Sequence, residues 1–172
     1  MNTDDKYPQR KTNRLKNYDY RSCGAYFVTI CTKSRIPLLW SEGKYDFVGE
    51  DTILPPDNVP LSACGKIVYD AIKSISKHYA HVQVLQYVIM PNHIHLILLI
   101  SCDDGRMISS PTSILTVIGQ LKRHVSIKLG KSIWQRSFYD HVIRDKADHD
   151  KLQQYIYENP TKWKYDKLYI KQ

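Results

Sequence analysis

The sequence lacks the features of a membrane protein, a disulfide-rich scaffold or a repeat protein. Its 172 residues include 4 cysteines, which stand far apart and form no C-x-x-C pair. This spacing predicts neither a zinc ribbon nor a dense disulfide framework, and it fits a reducing cytosol best. The longest apolar run, HLILLI, is too short to cross a bilayer. No internal repeat or low-complexity tract is found.

The start of the chain and its charge point to a soluble protein with an acidic partner. The opening stretch, MNTDDKYPQRKTNRLKNYDY, has no apolar core of the kind that a signal peptide needs, so we expect a cytoplasmic protein. The 25 Lys and Arg residues outweigh the 17 Asp and Glu residues and leave a net charge of +8. This excess favours a polyanion, with nucleic acid as the first candidate, although a modestly basic protein can also bind nothing acidic.

The pattern of apolar residues predicts a single domain over 23–172, preceded by a basic arm over 1–22. Because a strand, helix, strand, strand, helix, strand order is the split βαβ pattern, we expect an α+β, ferredoxin-like fold. It should have a four-stranded antiparallel sheet with helices packed on it and an extra C-terminal helix. The first half of the domain is predicted to contain a strand over 25–32, a long connection, and a helix over 61–79 with Ser62 as its N-cap. A hairpin that turns at 90–92, a helix over 113–130 and a strand over 137–145 should follow. The last predicted element is a helix that starts at Asp145 or Asp148 and ends at Pro160.

Two histidines stand two positions apart in the hairpin segment QYVIMPNHIHLILLI, residues 86–100. Side chains alternate along a strand, so His93 and His95 should project from one face while Ile94 points to the other. The preceding Met-Pro-Asn residues carry turn chemistry, which places the pair directly after the turn. An isolated His-x-His is also compatible with a half-exposed strand that happens to carry two polar residues.

The C-terminal helix contains the segment YIYENP, in which a tyrosine and an asparagine share one face. Tyr155 and Asn159 stand four residues apart, whereas Tyr157 is turned about 200° away from Tyr155. The neighbouring apolar pair Leu152 and Ile156 can dock the helix on the sheet. The alternative is a surface tyrosine beside a helix-ending Asn-Pro.

Several separated motifs resemble one family. YFVTICT, VIMPNHIHLIL, WQRSFYDHVIRD and YIYENP occur in the order found in single-tyrosine HUH transposases of the IS200-like type. Within these, the sequence is most similar to the REP-associated tyrosine transposase branch. The matching motifs run from about residue 24 to 163, so the resemblance covers nearly the whole chain.

The resemblance implies a metal-dependent enzyme that acts on DNA. By this likeness His93 and His95 bind a divalent ion, Mg²⁺ or Mn²⁺, and Tyr155 of the C-terminal helix attacks the DNA backbone. Asn159 is the implied third metal ligand, at a position where many insertion-sequence members have Gln. A phenol is a weak nucleophile at neutral pH, so a cation that makes the phosphate more reactive suits this chemistry.

The leading hypothesis is therefore an enzyme that nicks and rejoins single-stranded DNA through a 5′-phosphotyrosine intermediate, at sites flanked by hairpins. It would work in the cytoplasm, associated with the nucleoid when bound to DNA, as a monomer or a homodimer. One alternative is a catalytically silent ferredoxin-like protein that binds structured nucleic acid. Another is a rolling-circle replication initiator, a class that is usually longer. The shared motif residues Trp134, Gln135, Arg136, Tyr139 and His141 receive no catalytic role.

Overall fold

The computed structural model of the protein describes residues 18–41, 59–101 and 112–170. Four strands form one antiparallel sheet in the order β2-β3-β1-β4, with three α-helices packed on it. The ferredoxin-like fold expected from the sequence is confirmed. The elements are β1 (Gly24–Cys31), α1 (Ala63–His78), β2 (Val82–Ile89), β3 (His93–Ile100), α2 (Ile114–Lys128), β4 (Tyr139–Ile143) and α3 (Lys146–Glu158), with short 3-10 helices at Lys33–Arg35 and Trp163–Tyr165.

Helices α1 and α2 cover one face of the sheet with aliphatic side chains. The Ser62 hydroxyl caps α1 as predicted, because it accepts a hydrogen bond from the amide of Gly65 at 3.0 Å. Gly130 adopts a φ of 66° just after α2, a conformation that suits glycine at the end of a helix. The buried residues of α2 are those of the predicted stripe: Ile114, Val117, Ile118, Leu121 and Val125.

Helix α3 lies on the opposite face of the sheet. The Asp145 carboxylate caps it by accepting a hydrogen bond from the amide of Asp148 at 2.8 Å, which decides between the two predicted starting residues. Ile156 is fully buried and Leu152 is half-buried against the core, so this pair docks the helix as expected. The Gln86 side-chain amide also donates to the backbone carbonyl of Gln153 at 3.4 Å.

The structure differs from the sequence-based expectations in three details. The hairpin strand β3 is buried on both faces, so the alternative of a half-exposed strand is wrong. The predicted long connection contains the buried Trp40, whose indole N–H donates to the carbonyl of Ile89 at 2.6 Å. Cys23 is disulfide-bonded, which the scattered cysteine spacing did not predict.

Parts of two predicted segments lie outside the described residues. They are residues 1–17 of the basic arm and residues 42–58 of the long connection. Within the described ranges, no helix is both long enough and apolar enough to cross a membrane.

Candidate active site

The two histidines meet on the sheet face that α3 covers. His93 and His95 pair with Cys31 and Thr29 of β1, and their side chains are 0% and 3% exposed. Their Nε2 atoms lie 3.0 Å apart. Adjacent ligands of a cation bound at about 2.1 Å would have a similar separation. The predicted same-face arrangement is therefore confirmed.

Each imidazole is oriented by a hydrogen bond to its other nitrogen. His93 Nδ1 donates to the side-chain carbonyl of Asn92 at 2.8 Å, which leaves its Nε2 as an acceptor. His95 Nδ1 lies 2.8 Å from the hydroxyl of Thr29. Such partners fix ring orientation in metal sites. The two Nε2 atoms thus lie close together, while both Nδ1 atoms are hydrogen-bonded to Asn92 and Thr29.

Burial keeps both histidines neutral. It lowers the pKa of His93 to about 3, with a further contribution from the charge of Arg35. It also lowers the pKa of His95 well below its ordinary value, and the neighbouring His93 acts in the same direction. A neutral imidazole is the form that binds a metal ion.

Helix α3 brings Tyr155 to this pair from the same chain. The Tyr155 ring lies 5.2 Å from the ring of His95, and Phe27 stacks on His95 at 5.0 Å. Tyr155 is 42% exposed, so part of the residue faces solvent beside the buried histidines. Burial and, second, the nearby charge of Asp166 together raise the pKa of Tyr155 to about 12. The phenol is therefore protonated at neutral pH.

Asn159 lies one helical turn beyond Tyr155 on the same face, as the spacing predicted. Its side chain is almost fully buried and its Nδ2 donates to Asp166 Oδ2 at 3.3 Å. Its Oδ1 is buried without a hydrogen-bond partner in the described part of the chain. An unsatisfied buried carbonyl oxygen calls for a missing partner. Tyr157 is 48% exposed and takes no part in these contacts.

Asp166 is a member of the site that the sequence analysis missed. It follows the 3-10 helix at Trp163–Tyr165, and its Oδ2 accepts a hydrogen bond from the Tyr155 hydroxyl at 3.2 Å. One of its carboxylate oxygens and a ring nitrogen of each histidine lie within 4.8 Å of one another. No sequence motif marks this residue, because only the fold brings the C-terminal segment back to β3.

The residues of the motif WQRSFYDH have contacts of their own in the structure. Trp134 is buried and bridges to Thr32, while Tyr139 is 53% exposed on β4. His141 pairs with Asp148 at 2.7 Å, and this contact lowers the pKa of the Asp148 carboxyl. The backbone carbonyls of this loop are held by the ammonium of Lys122, which donates to Gln135, Arg136 and Ser137 at 2.6, 3.2 and 3.2 Å.

The donor set fits a divalent cation. Two neutral imidazole nitrogens converge, and Asn159, whose Nδ2 contacts Asp166, has a buried Oδ1 with no hydrogen-bond partner among the described residues. Imidazole, amide oxygen and carboxylate together suit transition metals such as Mn²⁺, and the oxygens suit Mg²⁺.

Comparison with known proteins gives a consistent result. No family model matches the chain. A Haemophilus influenzae protein described only as uncharacterized is 28% identical over 180 residues, which span 94% of this chain and 93% of the relative. A second protein of that organism, described as a "putative REP-associated tyrosine transposase", is 28% identical over 169 residues, 88% of this chain and 79% of the relative.

A solved structure shares the fold. The structure of a REP-associated tyrosine transposase bound to a REP hairpin superimposes with a TM-score of 0.58. It is 22% identical, and the alignment covers 90% of this chain and 76% of that protein. The fold of this chain is thus the α+β fold of that solved structure. The particular resemblance to REP-associated tyrosine transposases, predicted from the motifs, is confirmed.

Proposed function

We propose that this protein nicks and rejoins single-stranded DNA through a covalent 5′-phosphotyrosine intermediate. The observation that supports this proposal most directly is the position of Tyr155. A half-exposed phenol lies 5.2 Å, ring to ring, from one of two buried histidines whose Nε2 atoms converge. The likeness to REP-associated tyrosine transposases supports the same class of activity.

His93, His95 and Asn159 are the proposed ligands of a divalent ion, Mg²⁺ or Mn²⁺. When bound, such an ion supplies charge neutralisation at the scissile phosphate. Asn92 and Thr29 keep the two rings oriented through their hydrogen bonds to Nδ1. Each neutral histidine can serve as a ligand through Nε2 when its ring proton is on Nδ1, facing Asn92 Oδ1 or Thr29 Oγ1.

Tyr155 is the proposed nucleophile. Its hydroxyl oxygen attacks the scissile phosphorus and forms a phosphotyrosine ester, while the bond from phosphorus to the 3′ oxygen breaks. Because the pKa of Tyr155 is about 12, the phenolic proton leaves during the attack, and the 3′ oxygen gains a proton through solvent. The ester conserves the energy of the broken bond. A 3′ hydroxyl can therefore attack it later and rejoin the strands.

The proposed substrate is single-stranded DNA beside a hairpin. The net charge of +8 favours a polyanion, and the solved relative is bound to a REP hairpin. Because Tyr155 reaches the histidines of its own chain, the proposed site needs no residue from a second copy. Activity as a monomer or as a homodimer is compatible with this arrangement.

The test is covalent capture of DNA by the purified protein. Single strands from the DNA flanking its own gene, with hairpins intact, are incubated with Mg²⁺ or Mn²⁺ and resolved on a denaturing gel. We expect a protein–DNA adduct that a chelator prevents. Tyr155→Phe removes only the phenolic oxygen and should eliminate the adduct, whereas the matched variant Tyr157→Phe should retain it.

Two results would contradict the proposal. An adduct that persists in Tyr155→Phe and disappears in Tyr157→Phe would show that the wrong tyrosine is assigned. Binding of these strands without any adduct, unaffected by chelation or by Tyr155→Phe, would instead favour the catalytically silent nucleic-acid-binding protein.

A further inference from the structure

The proposed ligand set of two histidines and one asparagine carries no negative charge. A divalent cation held in a buried site by neutral groups alone keeps its full charge away from water, which is unfavourable. Within the described residues, the carboxylate that groups with the histidines is that of Asp166. It lies close enough to compensate the charge of a cation.

The segment that carries Asp166 is fixed independently of Tyr155. Asp166 Oδ1 accepts a hydrogen bond from the amide of Leu168 at 2.6 Å, and the carbonyl of Leu168 accepts one from the side chain of Asn92 at 2.8 Å. The buried Trp163 packs near His93 at 6.0 Å between ring centroids. These contacts anchor the segment beside the histidines, and they leave Asp166 Oδ2 directed towards Tyr155 and Asn159.

We propose that Asp166 is a fourth ligand of the cation, and that its Oδ2 exchanges the hydrogen bonds from Tyr155 and Asn159 for the cation. This inference rests on the proposed function, since it assumes the same metal site. Two nitrogen and two oxygen donors, one of them anionic, suit Mn²⁺ and Mg²⁺ better than two imidazoles and one amide.

The exchange links metal binding to the nucleophile. Asp166 Oδ2 accepts a hydrogen bond from the Tyr155 hydroxyl at 3.2 Å and thereby restrains the phenol. If the same oxygen bound a cation, the cation would compete with that hydrogen bond and the Tyr155 hydroxyl would be freer to face the DNA. Asp166 would therefore restrain Tyr155 more strongly before the cation binds than after.

The experiment is a titration of the full chain with Mn²⁺ in the absence of DNA. Binding is measured by calorimetry and by electron paramagnetic resonance. We expect Asp166→Asn, which keeps the size of the side chain, to weaken Mn²⁺ binding at least tenfold. Water proton relaxation should show an additional water on the bound Mn²⁺. The control Asp70→Asn alters an exposed carboxylate on α1, on the other face of the sheet, and should bind Mn²⁺ as the wild type does.

A second variant tests the exchange without altering any proposed ligand. Tyr155→Phe removes the hydrogen bond that competes for Asp166 Oδ2, so Mn²⁺ should bind more tightly, by about fivefold for the loss of one hydrogen bond. This variant keeps the proposal testable if Asp166→Asn folds poorly, as judged by circular dichroism.

The outcomes separate this inference from the proposed function. Wild-type affinity for Mn²⁺ in a folded Asp166→Asn protein, or weaker binding in Tyr155→Phe, would overturn the role of Asp166 alone and leave the metal-dependent reaction standing. If the wild type bound no Mn²⁺ while the adduct formed in the presence of a chelator, the metal site and the inference would both be wrong.

Discussion

The two faces of the sheet are built from the same strands but have opposite chemistry. On β3, Ile94 and Leu96 point towards α1 and α2 and are fully buried among aliphatic side chains. His93 and His95, one position away, point towards α3 and meet polar and aromatic groups. Alternation along a single strand thus assigns stability to one face and the proposed chemistry to the other.

The two faces also differ in the polar groups that they bury. The face covered by α1 and α2 is an apolar core, whereas on the α3 face Asn159 has a buried carbonyl oxygen with no partner among the described residues, and the Asp166 carboxylate accepts from two donors. Unsatisfied polar atoms reduce stability and are unusual in a core that serves packing alone. An oxygen of this kind at Asn159, next to the carboxylate that groups with the two histidines, is typical of a site prepared for a ligand.

Substitution on the α3 face should have the largest effect on activity. We expect the double variant His93→Ala, His95→Ala to lose all detectable cleavage, because both proposed imidazole ligands are gone. Most DNA affinity should remain, since phosphate neutralisation by basic residues supplies much of it. Denaturing gels measure cleavage and fluorescence anisotropy measures binding. If the double variant cleaved DNA at the wild-type rate, the α3 face would not be the site of the reaction.

Substitution of the residue between the histidines should affect stability instead. Ile94→Ala removes a fully buried side chain from the face covered by α1 and α2, and it should lower the free energy of unfolding by about 2–5 kcal/mol. At a temperature where the variant is folded, the covalent adduct should still form. Ile127→Ala, at a site that is 62% exposed, should change stability by less than about 0.5 kcal/mol. Urea titrations measure the free energy of unfolding of both variants. An equal loss of stability in the two would contradict the stabilising role of Ile94.

The smallest expected effect distinguishes the basic residues of the two faces. Arg35 lies near the site, where its charge lowers the pKa of His93, whereas Lys77 is exposed on α1. We expect Arg35→Ala to weaken single-strand binding a few-fold. It should also reduce the slope of log affinity against log salt concentration by about one, the loss of one phosphate contact, while Lys77→Ala changes neither quantity. Anisotropy titrations over a range of salt concentrations measure this. Equal effects of the two variants would indicate binding by diffuse charge over both faces.

Local patterns in the sequence predicted those parts of the molecule that depend on local rules. Period-2 alternation placed His93 and His95 together, and helical spacing separated Tyr155 from Tyr157. Asp166 could not be found in this way, because its contact with Tyr155 depends on how the chain turns after α3. The hydrogen bond between Thr29 and His95 depends on the register of β1 with β3, which strand patterns alone do not specify.

The side chain of Asn92 ties together parts of the chain that are remote in sequence. It donates to the carbonyls of Arg35 and Leu168, which stand 57 and 76 positions away, and it accepts from His93. Contacts of such long range form only after the intervening loops have closed, so the site should be completed late in folding. The same few bonds also set the free energy of local opening of the C-terminal segment, which need not equal the free energy of global unfolding. Resistance of the protein to heat is therefore a poor measure of how many molecules have an assembled site.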